Sequence, residues 1–256
     1  EEGSSGSIGL FTGSSSDSAG SINIIGGKNT ESSGANVIIT AGHSSLQTGG
    51  SVIVTSGQGG AFQSGNIRLG TARSVNSGPT GSVSISTGSS IAAVSGDISL
   101  RTGKSTQGGA GNLLFATGNG MTTTGGTSDI NLVAGDNTLA SGGNILVQSG
   151  GSSFAHSGNA DIQTSRSGSD GRSGFVSIQT GDSLGGSTGS LVLETGTSTN
   201  GNGGDIDLIA GNGAVGGGDI SVRAGSSSQL TGGAATMSSG GSVSGSSGKV
   251  TILSGN

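Results

Sequence analysis

Five short stretches of this chain carry residue types at spacings that could do chemistry. Gly103-Lys-Ser-Thr106 has the ending of a phosphate-binding loop, in which backbone N–H groups and a lysine cradle phosphate oxygens. The leading glycine of that motif would fall at Ile98, and no helical pattern follows, so an ordinary corner is the expectation. Gly211-Asn-Gly213-Ala-Val-Gly216 satisfies the glycine spacing of a dinucleotide loop, yet again no helix start is available to receive a pyrophosphate. Gly185-Gly-Ser187-Thr-Gly189 has the glycine–serine spacing of a nucleophile elbow, but His43 and His156 are the only histidines and neither falls at an equivalent place in the repeat. Asp205, Asp207 and Asp219, in Gly203-Gly204-Asp205-Ile-Asp207-Leu208 and Gly217-Gly218-Asp219-Ile, resemble fragments of a calcium roll. Such rolls need an aspartate at every turn, whereas serine or asparagine is commoner at this position here. No catalytic, cofactor-binding or metal-ligating residue is therefore assigned, no cofactor is expected, and the chain is read as not an enzyme.

The element that positions these residues is a phrase written seventeen times: Gly-x-aliphatic-x-apolar-x-small-Gly. It starts at Gly6, Gly20, Ala35, Gly50, Gly65, Gly81, Gly96, Gly111, Ser128, Gly143, Gly158, Gly174, Gly189, Gly204, Gly218, Gly233 and Gly248. Only Ala35 and Ser128 replace the opening glycine, and only Ala72 and Ser165 the closing one. The third and fifth positions lie two apart, which is strand spacing and puts both side chains on one face. The seventh faces the same way and is always small. Connectors of about seven residues, such as Ser226–Gly232, are rich in Gly, Ser, Asn and Asp, expected to supply positive φ and local side-chain turns.

Composition narrows the class. With 58 glycines, one proline (Pro79), no cysteine, no tryptophan or tyrosine, and 29% hydrophobic residues, the chain is outside ordinary globular usage. The in-phase aliphatics argue against plain disorder, and glycine is not at every third residue as collagen demands. A net charge of −5, with neither a basic stripe nor an aromatic platform, argues against nucleic acid. No apolar run approaches the roughly 20 residues of a membrane span.

Most phrases start 15 residues apart, but apart from the step of 14 at Gly6–Gly20, which is out of phase with the rest, the steps Gly65–Gly81, Gly111–Ser128, Gly158–Gly174 and Gly204–Gly218 are 16, 17, 16 and 14 residues. These are every third step, and every third connector carries an apolar residue near its middle: Leu46, Ile91 to Val94, Leu139, Leu184 and Leu230. The expected fold is therefore all-β, a parallel β-solenoid (β-helix) with three short strands per coil of about 46 residues, and positions three and five filling its core. The alternative is one 15-residue unit per coil. Residues 1–256 are read as a single solenoid domain. Other apolar residues point outward by parity, among them Ile25, Ile38, Ile53, Leu114, Val133, Leu146, Val192, Ile209 and Leu253. Connectors folding over them are expected, with a lateral docking surface as the other reading.

The phrases Gly143-Asn-Ile-Leu-Val-Gln-Ser-Gly150 and Gly204-Asp-Ile-Asp-Leu-Ile-Ala-Gly211 resemble the β-helical shafts of filamentous-haemagglutinin-type adhesins, and the serine-rich connectors resemble large Gly/Ser repeat proteins of diatoms and other stramenopiles. Either resemblance implies a secreted or surface-displayed shaft with no catalytic residues. The functional expectation is a non-enzymatic structural segment of an extracellular or cell-surface repeat protein, acting as a stiff spacer, fibre or adhesive scaffold; the alternative is a binding module for polysaccharide, mineral or ice. The start at Glu1-Glu2, with neither Met nor a signal peptide, is expected of a processed or excised chain. Both ends are in phase and uncapped, so the expected partners are flanking repeats or self-association through end strands, and beyond these glycans or surfaces, without nucleic acid or membrane insertion.

Overall fold

The computed structural model describes residues 5–120 and 128–255, and among them there is neither helix nor strand. This overturns both solenoid readings, three strands per coil and one, and with them the β-helix core. Alternation of apolar and polar residues fixes which face a side chain takes, but a strand exists only when its backbone is paired with a neighbour. Among the described residues the backbone hydrogen bonds run across connectors, between the close of one phrase and the start of the next, apart from one inside a connector in which the Gly171 N–H donates to the Gly168 carbonyl at 3.4 Å, and none joins the interior of one phrase to another. The period-two pattern is present without the ladder.

Energetics point the same way. A compact chain of 23.9 kDa would expose about 10,000 Å². This one exposes 26131 Å², and no described residue is buried. The large side chains at positions three and five, expected in a core, are from 48% exposed at Val250 to 96% at Ile8. With backbone order costing roughly 1–2 kcal/mol per residue, and more at glycine, a chain with 58 glycines and 29% hydrophobic residues has little to set against that cost.

The chain divides into two parts, Glu1–Asn131 and Leu132–Asn256, with the boundary inside the phrase that starts at Ser128. In both parts the recurring structure is the neck, where the closing residue of one phrase meets the opening residue of the next. In Glu1–Asn131, the Ala35, Gly50 and Gly65 N–H groups donate to the Gly27, Gly42 and Gly57 carbonyls at 3.1, 2.8 and 2.9 Å. In Leu132–Asn256 the same bond joins Gly143 to Gly135, Gly158 to Gly150, Gly218 to Gly211, Gly233 to Gly225 and Gly248 to Gly240, at 2.8–3.0 Å. Each bond closes its connector into a loop.

The seventh residue of the phrase decides which necks close. The eight bonded necks follow Gly26, Ala41, Ser56, Ala134, Ser149, Ala210, Ala224 and Ser239. The seven described necks without the bond follow Thr12, Thr71, Thr87, Thr102, Thr164, Thr180 and Thr195. The neck after Thr117 runs through residues outside the described set. Sterics supply the reason. In the threonine necks a Cβ placed on the next opening glycine would lie 3.3–3.9 Å from the threonine methyl, so that methyl already sits against the glycine and holds the two backbones apart. Threonine also offers a substitute, since the Thr164 and Thr195 hydroxyls donate to the Gly174 and Gly204 carbonyls at 3.4 and 3.1 Å.

The same geometry explains the opening glycine. At Gly50 and Gly143 a Cβ would lie 3.1 Å from the Gly42 nitrogen and 3.2 Å from the Ala134 methyl, tighter than ordinary contact. Ala35 is the one bonded start with a side chain, and it is matched by Gly26 at the seventh position, where a Cβ would lie 2.7 Å from the Ala35 carbonyl oxygen. One methyl fits in that neck, on either side but not both.

Positive φ, expected of the connector glycines, is absent among the described residues. The connectors turn instead on side-chain oxygens.

Candidate interaction site

Two features recur often enough to be a site: the connector turn and the aliphatic rows. In the connector, the second residue after the phrase closes is Ser15, Asn29, Ser44, Gly59, Ser74, Ser90, Ser105, Gly120, Asn137, Ser152, Ser167, Ser183, Ser198, Gly213, Ser227 or Ser242. Serine and asparagine here hydrogen-bond the backbone just ahead, the habit that makes them turn formers. The Ser44 Oγ accepts from the Gln47 N–H at 2.9 Å, Ser90 from Ala93 at 3.1 Å, Ser198 from Gly201 at 2.9 Å and Ser242 from Gly245 at 2.8 Å. Asn29 and Asn137 each take two N–H groups, from Glu31 and Ser32 and from Leu139 and Ala140, at 2.8–2.9 Å. In the longer connectors after Ala72 and Ser165 the serine reverses its role: Ser74 donates to the Asn76 carbonyl at 3.1 Å and Ser167 to the Gly171 carbonyl at 2.9 Å. Where the position is Gly59 or Gly213, the connector folds so that a Cβ would collide with the Phe62 and Gln63 carbonyls or with the Gly216 carbonyl.

This position escaped the reading of the phrase, which stopped at the closing glycine. Its signal was available, since all sixteen connectors place Ser, Asn or Gly there.

The aliphatic rows are set by the phrase itself. Third-position side chains share one environment, from 48% exposed at Val250 to 59% at Val83, with Ile8 at the beginning fully open and the alanines at 160 and 235 aside. Fifth-position side chains are more open, from 56% at Leu100 to 83% at Ile252. The outward apolar residues Ile38, Ile53, Leu114, Leu146 and Ile209 all exceed 80%, so the connectors do not fold over them. The mid-connector Leu46, Ile91, Leu139 and Leu184 stand free as well.

The motifs with chemical promise are absorbed into this scheme. In Gly103-Lys-Ser-Thr106, Ser105 caps its connector by accepting from the Gly108 N–H at 3.0 Å. Gly211–Gly216 is the connector that turns tightly at Gly213 and closes onto Gly218. In the stretch Gly185–Gly189 the Gly186 N–H is taken by Ser183 at 3.0 Å, and Ser187, His43 and His156 are all exposed. Asp205, Asp207 and Asp219 are exposed, and no group of three or more His, Cys, Asp or Glu able to hold a metal ion occurs among the described residues. The described residues enclose no cavity, and no helix among them is long and apolar enough to cross a membrane. Comparison with known protein families, with curated proteins and with solved structures finds no match.

Proposed function

We propose that the chain is a non-enzymatic structural segment of an extracellular or cell-surface repeat protein, serving as a spacer, fibre element or adhesive scaffold. The observation that carries this reading is that one device, the neck with its connector turn, recurs among the described residues, bonded at eight necks and threonine-lined at seven. Chemistry at a single site needs several unlike groups converging on one point. Here like groups recur at intervals, so whatever the chain does is distributed along it. The resemblance of its phrases to adhesin shafts supports the location, although the coil of those shafts is not the arrangement here.

Antibodies raised against the connector Ser226–Gly232 and applied to intact and to permeabilised producing cells test the reading. Equal labelling of both is expected. Labelling only after permeabilisation overturns the extracellular placement, and loss of a defined catalytic turnover on removing a single phrase would overturn the structural one.

A further inference from the structure

We infer that the occupant of the exposed aliphatic rows is a second copy of this chain, seated laterally with phrase against phrase. The inference goes beyond the proposed function and stands whether or not the segment is at a cell surface. It begins from area. Fully burying one aliphatic side chain removes about 60–120 Å² of apolar surface. Third- and fifth-position side chains that are already partly sheltered therefore offer about 120 Å² per phrase. A stable interface needs about 800 Å² from each partner, or roughly seven phrases engaged together. Glu1–Asn131 holds eight complete phrases and Leu132–Asn256 another eight, so either part alone reaches that threshold.

Period then selects the partner. One phrase is too small to hold anything, and only a surface presenting apolar pairs in the same succession of steps, 14 to 17 residues and mostly 15, can engage seven at once. A second copy has that succession by identity. Its phrases also present the backbone N–H and C=O groups that covering these rows would otherwise leave without partners, since among the described residues no backbone hydrogen bond joins one phrase interior to another. Charge does not oppose the approach, because charged residues are 9% of the chain and the net charge is −5 over 256 residues. A shift by six phrases returns most bonded necks to bonded necks and threonine necks to threonine necks with eleven phrases still engaged, and the phrases left over let the contact propagate beyond a dimer. This pairing lies between copies and along their length, unlike the end-strand contact expected from the uncapped termini.

The test is sedimentation of the full chain across a concentration series reaching about 100 µM, well above the micromolar range to which standard interfaces extend. It is run on three forms: the unaltered chain; a row variant carrying Val37→Ser, Val83→Ser, Ile130→Ser, Val176→Ser and Ile220→Ser, which leaves no seven consecutive phrases unaltered in either part; and a connector variant carrying Leu46→Ser, Ile91→Ser, Val94→Ser, Leu139→Ser and Leu184→Ser. None of the substituted residues is buried, so all three remain testable. The unaltered chain is expected to rise from monomer to dimer and larger species, the row variant to need at least about tenfold more protein, and the connector variant less than about threefold more. Three results overturn the inference: an unaltered chain that stays monomeric throughout; a monomer whose phrase amides are protected from exchange, meaning that the rows are covered within one chain; and a connector variant as impaired as the row variant.

Discussion

Replacing Ala41 by threonine should open the neck between Gly42 and Gly50. In the native neck the Gly50 N–H donates to the Gly42 carbonyl at 2.8 Å, while a Cβ on Gly50 would have only 3.4 Å to the Ala41 methyl. A threonine methyl there would take the place it holds at Thr87 and Thr102, where the opening glycines Gly96 and Gly111 make no such bond. An intramolecular amide hydrogen bond is worth about 0.5–1.5 kcal/mol net in water, so losing it should speed exchange of the Gly50 amide roughly 2- to 13-fold. The reverse change, Thr87→Ala, should slow exchange of the Gly96 amide by the same factor. Amide exchange followed residue by residue, at protein concentrations below any association, reads both. Ala41→Ser is the control, because Ser56, Ser149 and Ser239 all sit at bonded necks, and Gly50 should then exchange as in the native chain. If Gly50 exchanges equally fast with alanine, serine and threonine at position 41, the seventh residue does not govern the neck and the steric argument fails.

Other expectations follow from the same geometry. Gly26→Ala should open the Gly27–Ala35 neck, since its Cβ would lie 2.7 Å from the Ala35 carbonyl oxygen, and adding Ala35→Gly should restore protection of the residue-35 amide, a compensation that a double-mutant exchange series measures. Asn137→Ala should release the Leu139 and Ala140 amides together, each exchanging about 2- to 13-fold faster, whereas Asn137→Ser should keep at least one protected. Gly59→Ala should disturb its connector by collision with the Phe62 and Gln63 carbonyls and unbond Gly65, while Gly60→Ala, with nothing within 4 Å, should leave the Gly65 amide unchanged. With no buried residue among those described, the dissociated chain should show no cooperative heat-absorption peak in calorimetry and far less than the heat-capacity step of about 1.2–1.5 kcal/mol/K per 100 residues that a folded core gives.

What could be read from the residues was the punctuation. The phrase boundaries, the two-residue spacing of Val83 and Ile85 or Ile98 and Leu100, and the constraint to small side chains at the seventh position all correspond to real local geometry. Glycine at the start and close marks the neck itself. The solenoid did not follow, because spacing of two specifies a face and says nothing of a partner strand. The three-phrase rhythm in step length is taken up within connectors, as at Ser74 and Ser167, where an extra residue turns the serine from acceptor to donor. The difference between alanine and threonine at position seven was visible in the sequence. Its meaning was not, since both count as small until the distance across the neck is known. In the motifs at Gly103–Thr106 and Gly211–Gly216, Ser105 accepts from the Gly108 N–H and Gly213 stands at a tight connector turn.

Alternating bonded and unbonded necks have a mechanical corollary. A bonded connector brings the two ends of an eight-residue stretch, such as Gly42 to Gly50, within hydrogen-bonding reach, whereas pulled straight the same stretch would span about 27 Å. Each bonded neck thus conceals about 20 Å of contour length behind a single exposed hydrogen bond. Eight such necks hold on the order of 160 Å in reserve. The threonine-necked runs from Thr71 to Thr102 and from Thr164 to Thr195 would yield first under tension, and the alanine- and serine-necked runs after them. Chain extension would be graded by one methyl group per repeat.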